Sequence, residues 1–182
     1  QVSTNHEIKT GFSFRNDNLV ERNLTVLYDQ NFDEPSVLSE NKSPYHIFYD
    51  KDAVQYSAYI QDKMEYSSMI MNLGIRYDAF VPNDSTIANL LYPEADQKEA
   101  KTKTMVSPRI GVSLPITDKG IFHFSYGHFY QMPTLRNLYR ESYFGAGLAP
   151  TVGNPDLKPE KTVLYEFGFQ QQFGNLIGMD FN

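Results

Sequence analysis

Four charged residues offer the first places where this chain could do chemistry. Arg76 and Asp78 lie two residues apart, so in extended backbone they project to one side, and Arg109 and Glu166 fall on the polar side of two other alternating segments. Such groups either bind a partner of opposite charge or neutralise one another in a satisfied network, and without strand register no particular pair follows. A second set, Arg136, Tyr139, Arg140, Tyr143 and Phe144, occupies a loop-like stretch and offers cations and aromatic faces to a ligand. In the same stretch Leu135, Leu138 and Tyr139 have helical spacing, so one helical turn packed on the body of the fold is the alternative reading.

Other chemistries lack the residues they need. His6, His46, His123 and His128 are scattered, and the closest two, His123 and His128, are an odd number apart and face opposite sides of an extended segment. No metal site is expected, because ligands must converge. The absence of cysteine removes disulfides, thiolate chemistry and Cys-based zinc sites together. Serines, histidines and carboxylates occur without a nucleophile elbow or a recognisable triad context, so the chain is not expected to be an enzyme. Gly145-Ala146-Gly147 has no following helix and reads as flexible loop rather than a phosphate cradle. Neither catalytic residues nor a cofactor are expected.

The elements that position these residues show a period of two. Ile8, Thr10, Phe12 and Phe14 alternate with Lys9, Gly11, Ser13 and Arg15, and Val54, Tyr56, Ala58 and Ile60 with Gln55, Ser57, Tyr59 and Gln61. Met69, Met71, Leu73, Ile75 and Tyr77 oppose Ser68, Ile70, Asn72, Gly74, Arg76 and Asp78, while Val106, Ile110, Val112 and Leu114 oppose Ser107, Arg109, Gly111 and Ser113. Phe122, Phe124 and Tyr126 oppose His123, Ser125 and Gly127. Val163, Tyr165, Phe167 and Phe169 oppose Glu166, Gly168 and Gln170, and Ile177, Met179 and Phe181 open a last segment. This pattern predicts an all-β chain of about seven strands, each with one apolar and one polar face. The complete strands are expected to run for roughly ten to twelve residues, close to what a tilted membrane-crossing strand requires.

Connection lengths alternate as well. Short joints are expected around Lys63 to Ser67, Ile116 to Gly120 and Gly174-Asn175, and long ones from Asn16 to Lys51, Val81 to Lys103 and Gln131 to Glu160. Regular short-long alternation puts the long loops at one end of an antiparallel up-and-down meander, as in outer-membrane barrels. Composition agrees: Tyr and Phe number 13 each in a chain that is 14% aromatic, yet mean hydropathy is only -0.47. A barrel has a polar lumen face, so a polar average is compatible with a membrane location. Aromatic residues bracket the apolar faces, with Phe122 and Tyr130 on one face and Tyr165 and Phe173 on another. Such pairs suit two interfacial girdles. The net charge of -6, without a basic cluster, excludes nucleic acid as an expected partner.

Several segments, taken in order, resemble the C-terminal barrel region of TonB-dependent receptors. They are Ser57-Ala58-Tyr59-Ile60-Gln61-Asp62-Lys63, Asn72-Leu73-Gly74-Ile75-Arg76-Tyr77-Asp78, and Ser107-Pro108-Arg109-Ile110-Gly111-Val112-Ser113. The last is followed by Phe124 to Pro133, then by Gly153-Asn154-Pro155-Asp156-Leu157-Lys158-Pro159-Glu160-Lys161-Thr162 leading into Tyr165-Glu166-Phe167-Gly168. The resemblance implies a large barrel of about 22 strands with a plugged lumen. It also implies a place in the outer membrane of a Gram-negative-type bacterium, lipid around the barrel, and energy passed from an inner-membrane complex. The expected function is import of a scarce nutrient such as a siderophore complex, a cofactor or an oligosaccharide. An outer-membrane barrel enzyme and a soluble ligand-binding β-barrel are the rival readings. The chain begins at Gln1 and stops at Asn182 within an apolar alternation. Residues 1–182 are therefore expected to be a partial barrel, with plug and barrel closure elsewhere and unpaired edges at both ends. On this reading Arg76, Asp78, Arg109 and Glu166 meet the plug or line the substrate path, while Arg136, Tyr139 and Arg140 stand at the external mouth.

Overall fold

The computed structural model describes residues 5–24, 46–87, 97–142, 151–174 and 177–181. Seven strands form one antiparallel sheet: β1 (His6–Leu24), β2 (His46–Tyr66), β3 (Met69–Val81), β6 (Lys103–Thr117), β7 (Gly120–Gln131), β10 (Glu160–Phe173) and β11 (Ile177–Phe181). Their order in the sheet follows their order in the chain, so the sheet is a simple meander with β1 and β11 at its open edges. Two short ladders decorate the long connections, β4 (Ser85–Ile87) with β5 (Gln97–Glu99), and β8 (Glu141–Ser142) with β9 (Thr151–Val152). One helical turn, α1 (Leu135–Tyr139), lies between β7 and β8.

Register sorts the side chains onto two faces. Phe12, Ala58, Tyr77 and Val106 lie side by side across four strands, as do Val112, Phe124 and Phe167 across three. These outward side chains pack laterally, Phe124 against Phe167 with ring centroids 5.0 Å apart and Tyr126 against Tyr165 at 4.9 Å, and otherwise stay uncovered. A sheet in water would hide such a belt, whereas hydrocarbon leaves no reason to. On β2 the belt is bracketed by Tyr56 and Tyr66, ten residues apart. At ~3.3 Å per residue and ~40° tilt this spans on the order of 25 Å, the height of the apolar band of a membrane barrel.

The strands are longer than their alternation suggested. β1 has 19 residues and β2 has 21, so Asn16 to Leu24 and His46 to Lys51, expected as loop, are paired strand. The physical reason is that this hairpin continues past the apolar belt, where outward Asn18, Asp50 and Asp52 are polar and bond across the strands. Asn18 donates from Nδ2 to Asp50 at 2.7 Å and to Asp52 at 3.1 Å. The short joints are tighter than expected, reduced to Ser67-Ser68 between β2 and β3 and Asp118-Lys119 between β6 and β7. Gly174 begins the third joint with φ of +61°, a backbone state that favours glycine.

The small buried core sits on the polar face at the long-loop end. Leu138 and Tyr139 of α1 are closed over by Tyr49, Ala53, Phe80 and Met105, which are rooted in β2, β3 and β6. The returning chain then crosses α1 so closely that a Cβ on Gly153 would lie 2.5 Å from the carbonyl oxygen of Leu138. The Gly153 N–H donates to the Arg140 carbonyl and the Asn154 N–H to that of Asn137, at 3.1 Å. Asp156 completes the fastening by accepting from the Lys101 N–H at 3.1 Å and from the Lys103 ammonium. Those two donors, the Lys103 ammonium first, hold the Asp156 carboxyl below its ordinary range.

Candidate functional site

The polar face carries most of its charges as neighbours two apart on one strand. Lys9 meets Glu7 at 3.1 Å, Arg15 meets Asp17 at 2.7 Å, Lys63 meets Glu65 at 2.5 Å, and Arg76 meets Asp78 at 2.8 Å. The spacing works because alternate residues of a strand share a face within reach of long side chains. Arg76 Nε donates to both Asp78 oxygens, at 3.0 and 2.9 Å, so this pair satisfies itself along β3. Arg76 and Asp78, both singled out in the sequence, are thus brought together.

Arg109 and Glu166 are not. In register Arg109 lies between Gly74 of β3 and Gly127 of β7, while Glu166 faces Ser125. Among the described residues neither makes an ion pair. Arg109 instead places its guanidinium carbon 4.9 Å from the centre of the Phe129 ring, a cation–π stack. A groove of about 590 Å³ runs along this face, with Tyr59, Asn72, Arg76, Arg109, Ser125 and Phe129 in its lining. A second groove, of about 390 Å³, continues toward the long-loop end past Arg15, Asp78 and Met132.

At the rim, structure separates the three loop residues. Tyr139 is 2% exposed and its hydroxyl donates to the Pro82 carbonyl at 2.6 Å, which ties the β7–β10 connection to the β3–β6 connection. Arg136 is exposed and Arg140 half-buried, and both lie near enough to Tyr49 to favour its phenolate. Burial, followed by the bond that Tyr49 donates to Glu21, outweighs them and pushes the Tyr49 hydroxyl up to about 12. Tyr143, Phe144 and Gly145 to Gly147 lie outside the described residues.

Burial, then Asp84, Asp17 and Asp52, raise the Tyr139 hydroxyl above its ordinary value. The neutral phenol is therefore the docked form. Its contribution to docking is complete below the unfolded value of about 10 and is lost as pH rises through the folded one. In the folded protein the connection between β7 and β10 should resist a brief proteolytic pulse from neutral pH to about 10 and yield beyond it. Tyr139→Phe should shrink that alkaline step, and equal pH profiles for the two proteins would refute the assignment.

Three features went beyond the sequence reading. The spacing noted for Arg76 and Asp78 recurs at Glu7 and Lys9, Arg15 and Asp17, and Lys63 and Glu65, each pair legible as opposite charges two apart. Phe129 gave no signal, since its role depends on β6 lying beside β7. On the outward face near the short turns, His6 Nδ1 meets Asp62 at 2.7 Å and His6 Nε2 meets the Tyr66 hydroxyl at 2.8 Å, a chain that register alone assembles. Among the described residues no group of three or more His, Cys, Asp or Glu is placed to hold a metal ion.

The family model described as TonB dependent receptor-like, beta-barrel matches residues 1–181. No curated protein matches the chain.

Proposed function

We propose, from the premise that this chain belongs to the TonB-dependent receptor β-barrel family and so to an outer-membrane receptor and transporter, that its polar face lines the path of a scarce nutrient into the periplasm. The chain is read as one part of a longer receptor whose lumen holds a plug and whose transport is energised from the inner membrane. The observation that carries this is the division of the sheet. One face is an uncovered apolar belt, and the other is a polar wall whose strand charges, among the described residues, are largely self-paired, with Arg109 and Glu166 among the exceptions. A wall of neutralised pairs, glycines and small hydroxyls binds little for itself, which suits passage, while unmatched charges such as Arg109 and Glu166 suit contact with something inside. Arg136 and Arg140 stand at the mouth, where an arriving ligand meets the rim first. Tyr139 supports the rim from beneath.

The test uses cells that carry the full-length receptor as their sole route for one limiting nutrient, screened across siderophore complexes, cofactors and oligosaccharides. Growth on one class should disappear on deletion of the receptor and on collapse of the inner-membrane proton gradient. Uptake that survives the loss of energy, or growth unaffected on every class, would sink the transport reading. Topology is checked on the same cells. A tag near Asp84 should be reached by added antibody, and a tag at Asp118-Lys119 should stay hidden until the outer membrane is permeabilised.

A further inference from the structure

We infer that Arg109 is a seat for an oxyanion, a carboxylate brought against the inner wall by something outside this sheet. The inference rests on reading the polar face as the lumen wall, and adds the chemistry of what meets it. The pattern of the wall is the first argument. Glu7 with Lys9, Arg15 with Asp17, Lys63 with Glu65 and Arg76 with Asp78 cancel within their own strands, so Arg109 is a cation that the described wall leaves uncancelled. The nearest candidates cannot serve it. Both Asp78 oxygens are engaged by Arg76. Glu166 faces Ser125, and Ser125 in turn faces Gly111 rather than Arg109.

The second argument is that the side chain is held in a binding posture. The Phe129 ring supports the guanidinium by cation–π contact, and among the described residues none of its N–H groups is taken by an ion pair, so they are left to receive a carboxylate through two parallel hydrogen bonds. Gly127 makes the stack possible, because a Cβ there would come within 3.0 and 3.2 Å of the Phe129 ring and 3.7 Å of the Arg109 stem. On the other side Gly74 adds no side chain of its own, and a Cβ there would meet only ordinary contacts, at 3.6 Å to the Ile60 carbonyl and 3.7 Å to the Gln61 side chain. Glycine on both flanks, an aromatic base and a groove in front make a site rather than a stray surface arginine.

The carboxylate has two possible sources, an acidic side chain of a segment that fills the lumen or a diffusible anionic ligand. A single experiment separates them. Full-length receptor carrying Arg109→Lys, which puts a primary amine in the seat, is treated in detergent with a water-soluble carbodiimide, with and without isotope-labelled acetate as the probe. Its peptides are then analysed by mass spectrometry. Lys63 and Glu65, 2.5 Å apart, provide the internal control for coupling. An amide between the introduced amine and an acidic residue outside the seven-stranded sheet supports the seat and names an internal occupant. Saturable labelling of that amine by acetate, severalfold above that of the paired Lys63, supports the seat and shows it open to a diffusible anion. Coupling only to Asp78 or Glu166, or no coupling at all, overturns it.

Should the variant fail to fold, phenylglyoxal modification of the native receptor decides. Arg109 must be protected severalfold at rest or on adding acetate, and modification at the rate of a free arginine under both conditions overturns the seat. Neither readout involves uptake. A receptor that gives these products yet imports nothing would sink the transport reading alone, and one that imports normally without them would sink the seat alone.

Discussion

Replacing Ile75 by arginine is expected to destabilise the intact barrel by ~2–4 kcal/mol, the range for a cation at the midplane of a membrane barrel, while Asn72→Arg on the same strand costs far less. Ile75 projects outward, 49% exposed, between Ile60 and Pro108, near the middle of the belt that Tyr56 and Tyr66 bracket on the neighbouring strand. In hydrocarbon an arginine there has no water to solvate it and no counter-charge directly opposite it. Leu73, one position along the same face, is a poorer test, because it lies opposite Asp62 and an arginine at 73 would find a carboxylate. Asn72 points to the polar wall, where water solvates a new cation. Ile75→Phe completes the comparison. Fluid lipid accommodates a phenyl group without strain, whereas a packed interior would lose roughly 1–3 kcal/mol to overpacking. Equilibrium unfolding of the full-length receptor from liposomes measures all three. A well-tolerated Ile75→Arg, or a severe Ile75→Phe, would mean that this face is not in hydrocarbon.

Leu138→Ala is expected to loosen the rim by ~2–5 kcal/mol, the usual cost of emptying a fully buried aliphatic site. Leu138 is 0% exposed and packs with Tyr49, Ala53, Phe80 and Met105, the one place where the described part of this sheet has a dry core. The loss is local, since the strands below are held by their own ladders and by lipid. Amide exchange across residues 135–142 should therefore accelerate while exchange in β3 and β6 stays unchanged. Tyr139→Phe should act in the same direction and less strongly, removing one donor and leaving the Pro82 carbonyl short of its partner at about 1–3 kcal/mol. Exchange that accelerates equally in the strands would show that α1 is part of the global fold rather than a docked piece of loop.

Much of the architecture was legible from the sequence because side-chain alternation is a local property of extended backbone. The seven strands, their meander order, the long connections gathered at one end, the single turn of helix at Leu135–Tyr139 and the two faces with Arg76, Asp78, Arg109 and Glu166 on the polar one all follow from period and loop length. The ends of β1 and β2 did not, because beyond the belt polar and apolar residues no longer alternate regularly and cross-strand bonds such as Asn18 to Asp50 replace the hydrophobic signal.

Register decided the site. Arg76 meets Asp78 along its own strand, but whether Arg109 would meet Asp78, Glu166 or nothing depends on which strands are neighbours and how far each is slid. A slip of one residue would have sent every one of these side chains to the other face. Only the folded sheet sets Arg109 on Phe129 between two glycines, and only the fold of the long loops turns Tyr139 from a ligand-facing aromatic into a buried prop. The alternation of residues determined that there is a wall. Long-range pairing determined that Arg109 and Glu166 find no counter-charge across the strands and remain to meet a partner.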